Sequence, residues 1–296
     1  MQRFTLVCVQ MAPRPMAIAE NTERALELAA LAVRETGARL VLFPESVTTG
    51  FTPDCGAREL WHLLQPFDGP LFRRVGRIAS QLKTYLAWPS YERGATEGVV
   101  YNSVGLFGPD GELLGLYRKT HLFPTERLAG GGWSTAGNLP VVIATELATI
   151  GLTICYDGDF PELYRCEAVM GAEVILRPSA LLRSFHIWEM TNRARAYDNH
   201  VYIAACNAVG PDAGGNNYFG HSMIVSPIAQ VLALGRGTDA ELVAAELDPD
   251  PIKRVTWGSP APMIFDHLQD RNLQAYREHI LQPAHSRFEP ARRVES

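Results

Sequence analysis

Cysteine is scarce in this chain: five in 296 residues, at Cys8, Cys55, Cys155, Cys166 and Cys206. An odd, scattered set makes no disulfide framework. Cys8, Cys155 and Cys206 fall in or at the end of apolar β-like runs, the usage of a reducing cytoplasm, where a lone cysteine is either core filler or a nucleophile. There is no CxxC pair and no HExxH, and the eight histidines have no ligand spacing, so neither a metal nor a cofactor is expected. Basic residues are also in the minority. The 27 Lys plus Arg against 32 Asp plus Glu give a net charge of −5, which argues against nucleic acid or an anionic membrane as partner. No run reaches the about 18 apolar residues of a membrane span. The opening MQRFTLVCVQMAPRP has a short apolar stretch and no small-residue cleavage site, so no signal peptide is expected. Linker-like tracts are missing from the middle of the chain. With 47% hydrophobic residues, the composition predicts a cytoplasmic globular protein with a large core.

What the chain does contain is an alternation of short apolar strands and amphipathic helices. Strands are predicted at Arg3–Gln10, Leu40–Phe43, Tyr85–Trp88 and Tyr101–Phe107. Helices are predicted at Asn21–Glu35, capped by Asn21 or Thr22, and at Pro70–Lys83. Pro109-Asp110-Gly111 is a turn, since proline presets φ and glycine accepts a positive φ; it folds Leu113–Arg118 back as a hairpin. Leu139–Ala144 and Ala148–Cys155 read as a second hairpin, followed by a helix at Pro161–Met170 with proline in the favoured first position. A helix at Ser184–Asn199 precedes strands at Val201–Cys206, His221–Val225, Val231–Leu234 and Leu242–Leu247. Asp248–Pro262 reads as an irregular connection, Leu268–Ile280 as a last helix, and His285–Ser296 as a polar tail.

One internal echo bears on the architecture. GARLVLFPE at 37–45 resembles GAEVILRPS at 171–179: a helix-capping glycine, a buried strand, then a proline that stops it. Two such halves predict one pseudo-symmetric layered α/β domain over residues 1–280, with 281–296 as a tail.

Three strand ends each deliver a chemically capable side chain: Glu45 after LVLFP, Lys119 after LYR and Cys155 after GLTI. Ligands of open α/β sheets gather beyond the carboxyl ends of strands. Taken singly, each residue has an ordinary explanation: a loop carboxylate, a surface lysine, a small buried hydrophobe. Together they resemble a known pattern. LFPES at 42–46, YRKTHLFPTE at 117–126 and ICYDGDFPE at 154–162 are similar to the signatures of the nitrilase superfamily of carbon–nitrogen hydrolases, and YNS at 101–103, RARAYDN at 193–199 and GHSMIVSP at 220–227 extend the likeness over nearly the whole chain. The resemblance implies a catalytic set of Glu45, Lys119 and Cys155, with Glu126 as a second, substrate-positioning glutamate. It further implies an αββα sandwich that dimerises into a four-layer assembly, so a homo-oligomer is expected.

Elementary chemistry agrees with those roles. A thiolate, not a thiol, attacks a carbonyl; an adjacent ammonium favours the thiolate, and a carboxylate can take its proton. Tyr156 and Asp159, close behind the nucleophile, are expected to help position the substrate, with Trp133, Trp188 and Phe219 as further candidate pocket walls. His121 and Asp157 read as structural, and Arg193 and Arg195 as members of ion pairs. Nitrilases of this superfamily carry Trp-Glu after the nucleophile, where this chain has Tyr156-Asp157; its carbamoyl-amino-acid hydrolases carry arginines shortly after it, where this chain has Gly158-Asp159. The expected substrate is therefore a small neutral carboxamide, with Asp159 repelling acids; the competing possibility is an arginine arriving from farther along, Arg177 or Arg183, which would favour a carboxylate-bearing substrate. An N-carbamoyl compound or an ω-amide is the alternative, and nitrile hydrolysis, acyl transfer or an inactive interaction protein is further removed.

Overall fold

The computed structural model describes residues 1–249, 254–255, 263–264 and 266–282. In chain order its first half holds β1 (Phe4–Gln10), α1 (Ile18–Thr36), β2 (Leu40–Leu42), α2 (Ala57–Leu63), α3 (Pro70–Leu82), β3 (Tyr85–Arg93), β4 (Val100–Phe107) and β5 (Leu113–Arg118). Its second half holds β6 (Val142–Ala144), β7 (Thr149–Leu152), α4 (Pro161–Val169), β8 (Val174–Ser179), α5 (Phe185–Asn199), β9 (Tyr202–Asn207), β10 (Val209–Pro211), β11 (Asn217–Phe219), β12 (Met223–Val225), β13 (Val231–Leu234), β14 (Glu241–Leu247) and α6 (Leu273–Tyr276). Two six-stranded sheets result, with strand orders β14-β1-β2-β3-β4-β5 and β13-β12-β9-β8-β7-β6.

The strand sequences explain the layering. Along β1, Leu6 and Cys8 face the core between the sheets, while Val7 and Val9 face a second core under α1 and α3. Leu40 and Leu42 alternate with Val41 and Phe43 in the same way. Strands buried on both faces read as unbroken apolar runs, as these do. The second sheet packs α4 and α5 against its outer face, through Leu163, Tyr164, Trp188 and Ala196. The order of layers is thus helix, sheet, sheet, helix, as the resemblance implies. The echoed segments hold matching places: β2 runs parallel between β1 and β3, and β8 runs parallel between β7 and β9. Gly37 and Gly171, which end the preceding helices, both adopt the positive φ that favours glycine, +68° and +101°.

Several boundaries differ from the sequence expectation. α1 begins at Ile18, before the expected caps, with Ala17 ahead of it and no side-chain cap. Asn21 lies buried inside the helix, where its side chain bonds the backbone of Arg14 and the carbonyl of Thr48. Tertiary anchoring of the segment after Glu45 has outcompeted the capping preference. α2 and the small β10–β11 hairpin were not expected, because neither carries a strong apolar period. Only Leu273–Tyr276 of the expected last helix is helical, since the flanking residues are exposed and bury no apolar stripe. Most of the Asp248–Pro262 connection and the His285–Ser296 tail lie outside the described residues. Among the described residues no helix is long and apolar enough to cross a membrane.

A buried acid sits in α4. The Glu167 carboxyl is fully buried against Gly151, where an added Cβ would come within 2.4 Å of its Oε2. No cation and no side-chain donor reaches it among the described residues, and burial, reinforced by Asp157, pushes its pKa well above the carboxylate range. The folded state therefore holds this proton more tightly than the unfolded chain, so stability falls as pH rises above the ordinary glutamate range, until the folded group itself ionises. Glu167→Gln, equal in size and unable to ionise, is expected to raise the melting temperature at neutral pH, by about 2–4 °C for each kcal/mol recovered in a chain of this size. Thermal unfolding from pH about 5 to about 8 should reveal a gap from wild type that widens with pH. A constant gap, or a less stable variant, would contradict the assignment.

Candidate active site

The two sheets meet at their strand ends. Glu45 stands three residues past β2, Lys119 immediately follows β5, Cys155 stands three residues past β7, and Ala180 immediately follows β8. Asn102 reaches in from β4. Lys119 is fully buried, and its ammonium donates to Glu45 Oε1 at 2.7 Å and to Glu126 Oε2 at 2.5 Å. The Asn102 amide bridges the two carboxylates, 2.8 Å from each. Glu45 Oε2 accepts the Ala180 N–H at 2.9 Å, and Glu126 Oε2 also accepts the Phe123 N–H at 2.9 Å. Every carboxylate oxygen in the cluster thus has a donor, as burial demands.

The charges shift as their surroundings require. Burial works against the Lys119 ammonium, but the two carboxylates outweigh it and hold its pKa above the usual lysine range. Burial raises Glu126, with Glu45 adding to the effect and Lys119 and Asn102 opposing it. Cys155 is 6% exposed, and burial followed by the Glu45 charge pushes its thiol up, against the pull of Lys119 and Arg177. The ammonium acts toward the thiolate, as expected, but its charge is already shared between two carboxylates, and Cys155 rests as a thiol.

Cys155 opens a 3-10 turn, Cys155–Asp159, with φ at +46°, an uncommon conformation for a side-chain-bearing residue. Asp157 pins that turn. Its carboxylate accepts from the Ile154 N–H, the Tyr117 hydroxyl and the His121 N–H at 2.7–3.0 Å, and His121 Nδ1 lies 2.8 Å away. His121 also stacks on Phe160 with centroids 3.8 Å apart. Both are structural, as expected.

A small cavity lies over Cys155, walled by Phe51, Phe123, Tyr156, Leu182 and Arg183. Tyr156 is in the wall, edge-on to Phe123 and Phe160. Asp159 is not. Its carboxylate forms a two-pronged pair with Arg183, both contacts at 2.8 Å, so it orients that guanidinium and its charge is cancelled. The expectation that Asp159 lines the pocket does not match this placement: the wall presents the Arg183 guanidinium, with Asp159 paired behind it. Trp133 and Trp188 are core residues, the latter donating its indole N–H to the His221 carbonyl, and Phe219 packs on Trp188. Arg193 pairs with Glu189 and Arg195 lies near Asp198, as structural ion pairs. Sequence reasoning missed Phe51 and Phe123 as walls and Asn102 as the bridge, although YNS at 101–103 marked that segment.

Comparison with known proteins agrees with this geometry. A family model for carbon–nitrogen hydrolases matches residues 5–256. The chain is 31% identical to the omega-amidase NIT2 of Xenopus tropicalis over 255 residues, 84% of this chain and 90% of that one. It is 33% identical over 240 residues to a Pseudomonas protegens protein described as a hydrolase in the pqqF 5′ region, 81% of each chain. Among solved structures it is similar to an amidase from Nesterenkonia sp., with TM-score 0.76 and 25% identity over 93% of this chain and 96% of that one. One structure of that amidase carries the acetamide moiety of fluoroacetamide covalently added at its active-site cysteine; an alanine variant binds butyramide.

The buried cluster makes a stability prediction. Replacing Lys119 with Met leaves two buried carboxylates facing each other, and breaking a buried pair in this way costs about 3–5 kcal/mol. Adding Glu126→Gln removes one stranded charge, so the double variant Lys119→Met/Glu126→Gln should regain part of that loss. Urea unfolding of the wild type, both single variants and the double variant checks this. Additive losses would mean that the residues do not share one cluster.

Proposed function

The chain belongs to the carbon–nitrogen hydrolase family, and from that premise we propose that it hydrolyses a small non-peptide carboxamide to a carboxylic acid and ammonia through a thioester on Cys155. The observation that carries this reading is the buried Lys119 ammonium, clamped by Glu45 and Glu126 beside a thiol-floored apolar cavity. The Cys155 sulfur attacks the amide carbon while its proton passes to Glu45. Lys119 has three N–H donors and spends two on glutamates; the third, with the N–H of Tyr156, faces the oxyanion. One such donor is worth roughly 2.7–4 kcal/mol in the transition state. The proton held by Glu45 then goes to the departing nitrogen, which leaves as ammonia. Glu45, a carboxylate again, takes a proton from water, the hydroxide attacks the thioester, and the thiol and acid are released. Glu126 keeps Lys119 in line and Asn102 keeps the two glutamates apart.

Phe51, Phe123 and Tyr156 suit a short apolar acyl chain, which agrees with butyramide as a ligand of the similar amidase. A second reading rests on Arg183. A guanidinium in the cavity wall, beside Tyr156 with its carbon 5.8 Å from that ring's centroid, favours an amide that carries a carboxylate at its far end, an ω-amide. The omega-amidases among the relatives support that reading.

We further propose a cytoplasmic homodimer. The free cysteines suit a reducing compartment. Exposed Met190 and Tyr197 on α5, with Val169 and Met170 at the end of α4, form an apolar face suited to a second copy.

Ammonia release from butyramide and from the ω-monoamide of a four-carbon diacid tests the reaction. Cys155→Ala is expected to abolish it with the fold intact, whereas Cys206→Ala retains measurable turnover; activity persisting in Cys155→Ala would move the nucleophile elsewhere. In the same assay Arg183→Leu should lower kcat/KM for the acidic amide alone, by about 10–100-fold for a lost charge-assisted contact, and equal losses on both amides would reject the ω-amide reading. Sedimentation velocity at micromolar concentration should give a dimer, and Met190→Asp should split it; a wild-type monomer would remove the oligomer.

A further inference from the structure

Arg177, on β8, is among the largest side chains buried in the fold, with 0% exposure. No carboxylate pairs with it among the described residues. Its Nε donates to the carbonyl of Cys155 at 2.9 Å, and its Nη1 donates to Thr191 Oγ1 at 3.0 Å and Asn192 Oδ1 at 2.7 Å, both on α5. The guanidinium carbon lies 4.9 Å from the centroid of the Trp188 ring, while Nη2 has no hydrogen-bond partner. The space it fills exists because residue 158 is glycine: a Cβ there would fall 1.9 Å from the guanidinium carbon.

A buried cation without a carboxylate is costly, and an apolar residue of similar volume would serve stability as well or better. Its position gives the reason for its presence. The Glu45–Lys119–Glu126 cluster carries two negative charges and one positive, so passing the thiol proton to Glu45 moves a negative charge onto the sulfur of a site that stays net negative. Lys119 is spent on its two glutamates. Arg177 is the nearby cation whose charge is not spent, and it grips the backbone of the nucleophile itself.

We propose that Arg177 is a positioning residue of the nucleophile, holding the Cys155 carbonyl so that the positive-φ turn keeps its sulfur aimed into the cavity, and supplying the net positive charge against which the thiol gives up its proton. The Coulomb pull of Arg177 on the thiol acts in the same sense. This inference rests on Cys155 being the nucleophile, and on nothing about which amide is cleaved.

The test compares wild type, Arg177→Lys, Arg177→Met and Asn192→Ala. The first readout is the rate at which iodoacetamide alkylates Cys155, located by peptide mass, from pH about 6 to about 10. The second is kcat and KM for butyramide. If the charge acts as proposed, Arg177→Met slows alkylation at every pH below the inflection by about tenfold for each unit by which the thiol pKa rises. It also lowers kcat by about 10²–10³-fold, as for loss of one positioned stabilising group, with KM little changed. Arg177→Lys, which keeps the charge and loses the fork, should recover the alkylation profile more fully than kcat. Asn192→Ala loosens the guanidinium and should move both readouts the same way by less. A folded Arg177→Met with a wild-type alkylation profile overturns the proposal even if turnover falls, because a merely structural role leaves the profile in place. If Arg177→Met fails to fold, an unchanged profile in Asn192→Ala overturns it instead. Loss of butyramide turnover in wild type with normal alkylation would count against the amide reading and leave this inference standing.

Discussion

Everything at the site follows from one ammonium that is not allowed to meet water. Lys119 has no solvent contact, so its charge is tolerable only because Glu45 and Glu126 close on it, and their charges only because Ala180 and Asn102 donate to the oxygens Lys119 leaves over while Asn102 and Phe123 add donors to the ones it uses. Each member makes the next affordable in a low-dielectric interior, and removing one exposes the rest to the full cost of burial. The resting thiol is a consequence of the same arrangement. The ammonium is shared between two carboxylates, so burial and the Glu45 charge outweigh its pull on Cys155 and the thiol keeps its proton.

The framework that makes the cluster possible is the pairing of two similar half-structures. β2 and β8 hold central places in their own sheets, and their ends deliver Glu45 and Ala180 to each other. Both reactive turns depart from ordinary backbone geometry: Ser46, next to Glu45, has φ at +52° and Cys155 has φ at +46°. Such conformations persist where the surroundings over-determine them. Here the surroundings are the Asp157 network on one side of the Cys155 turn and the Arg177 guanidinium on the other.

Much of this was legible in the sequence, and for identifiable reasons. Apolar runs without alternation marked strands buried on both faces, and helix-ending glycines marked Gly37 and Gly171. The strand-end positions of Glu45, Lys119 and Cys155 followed from counting outward from those runs. What remained hidden was whatever depends on distant partners. Nothing local in Asn21 says that a fold elsewhere will claim its amide and let the helix start earlier. The sequence offers Arg177 and Arg183 as arginines that could reach the pocket without saying which does; the fold brings Arg183, 24 residues on, onto Asp159, so the wall holds an ion pair instead of a lone carboxylate. Phe51 and Phe123 carry no periodic signal, because they belong to loops ordered by distant or irregular contacts: the Phe51 carbonyl accepts from the Tyr91 hydroxyl and the Phe123 N–H donates to Glu126.

The bond from the Ala180 N–H to Glu45 spans 135 residues of chain and joins one sheet to the other. Its length along the chain has a consequence for a newly made polypeptide. A ribosome-bound or stalled chain that ends before β7 possesses Glu45 and Lys119 but no thiol within their reach, and its first sheet still lacks β14. One in which the sheets have formed without docking has a thiol far from the carboxylate that the proposed reaction gives it as proton acceptor. On that proposal chemical competence requires both sheets and their docking, so an incomplete chain is inert toward the amides around it.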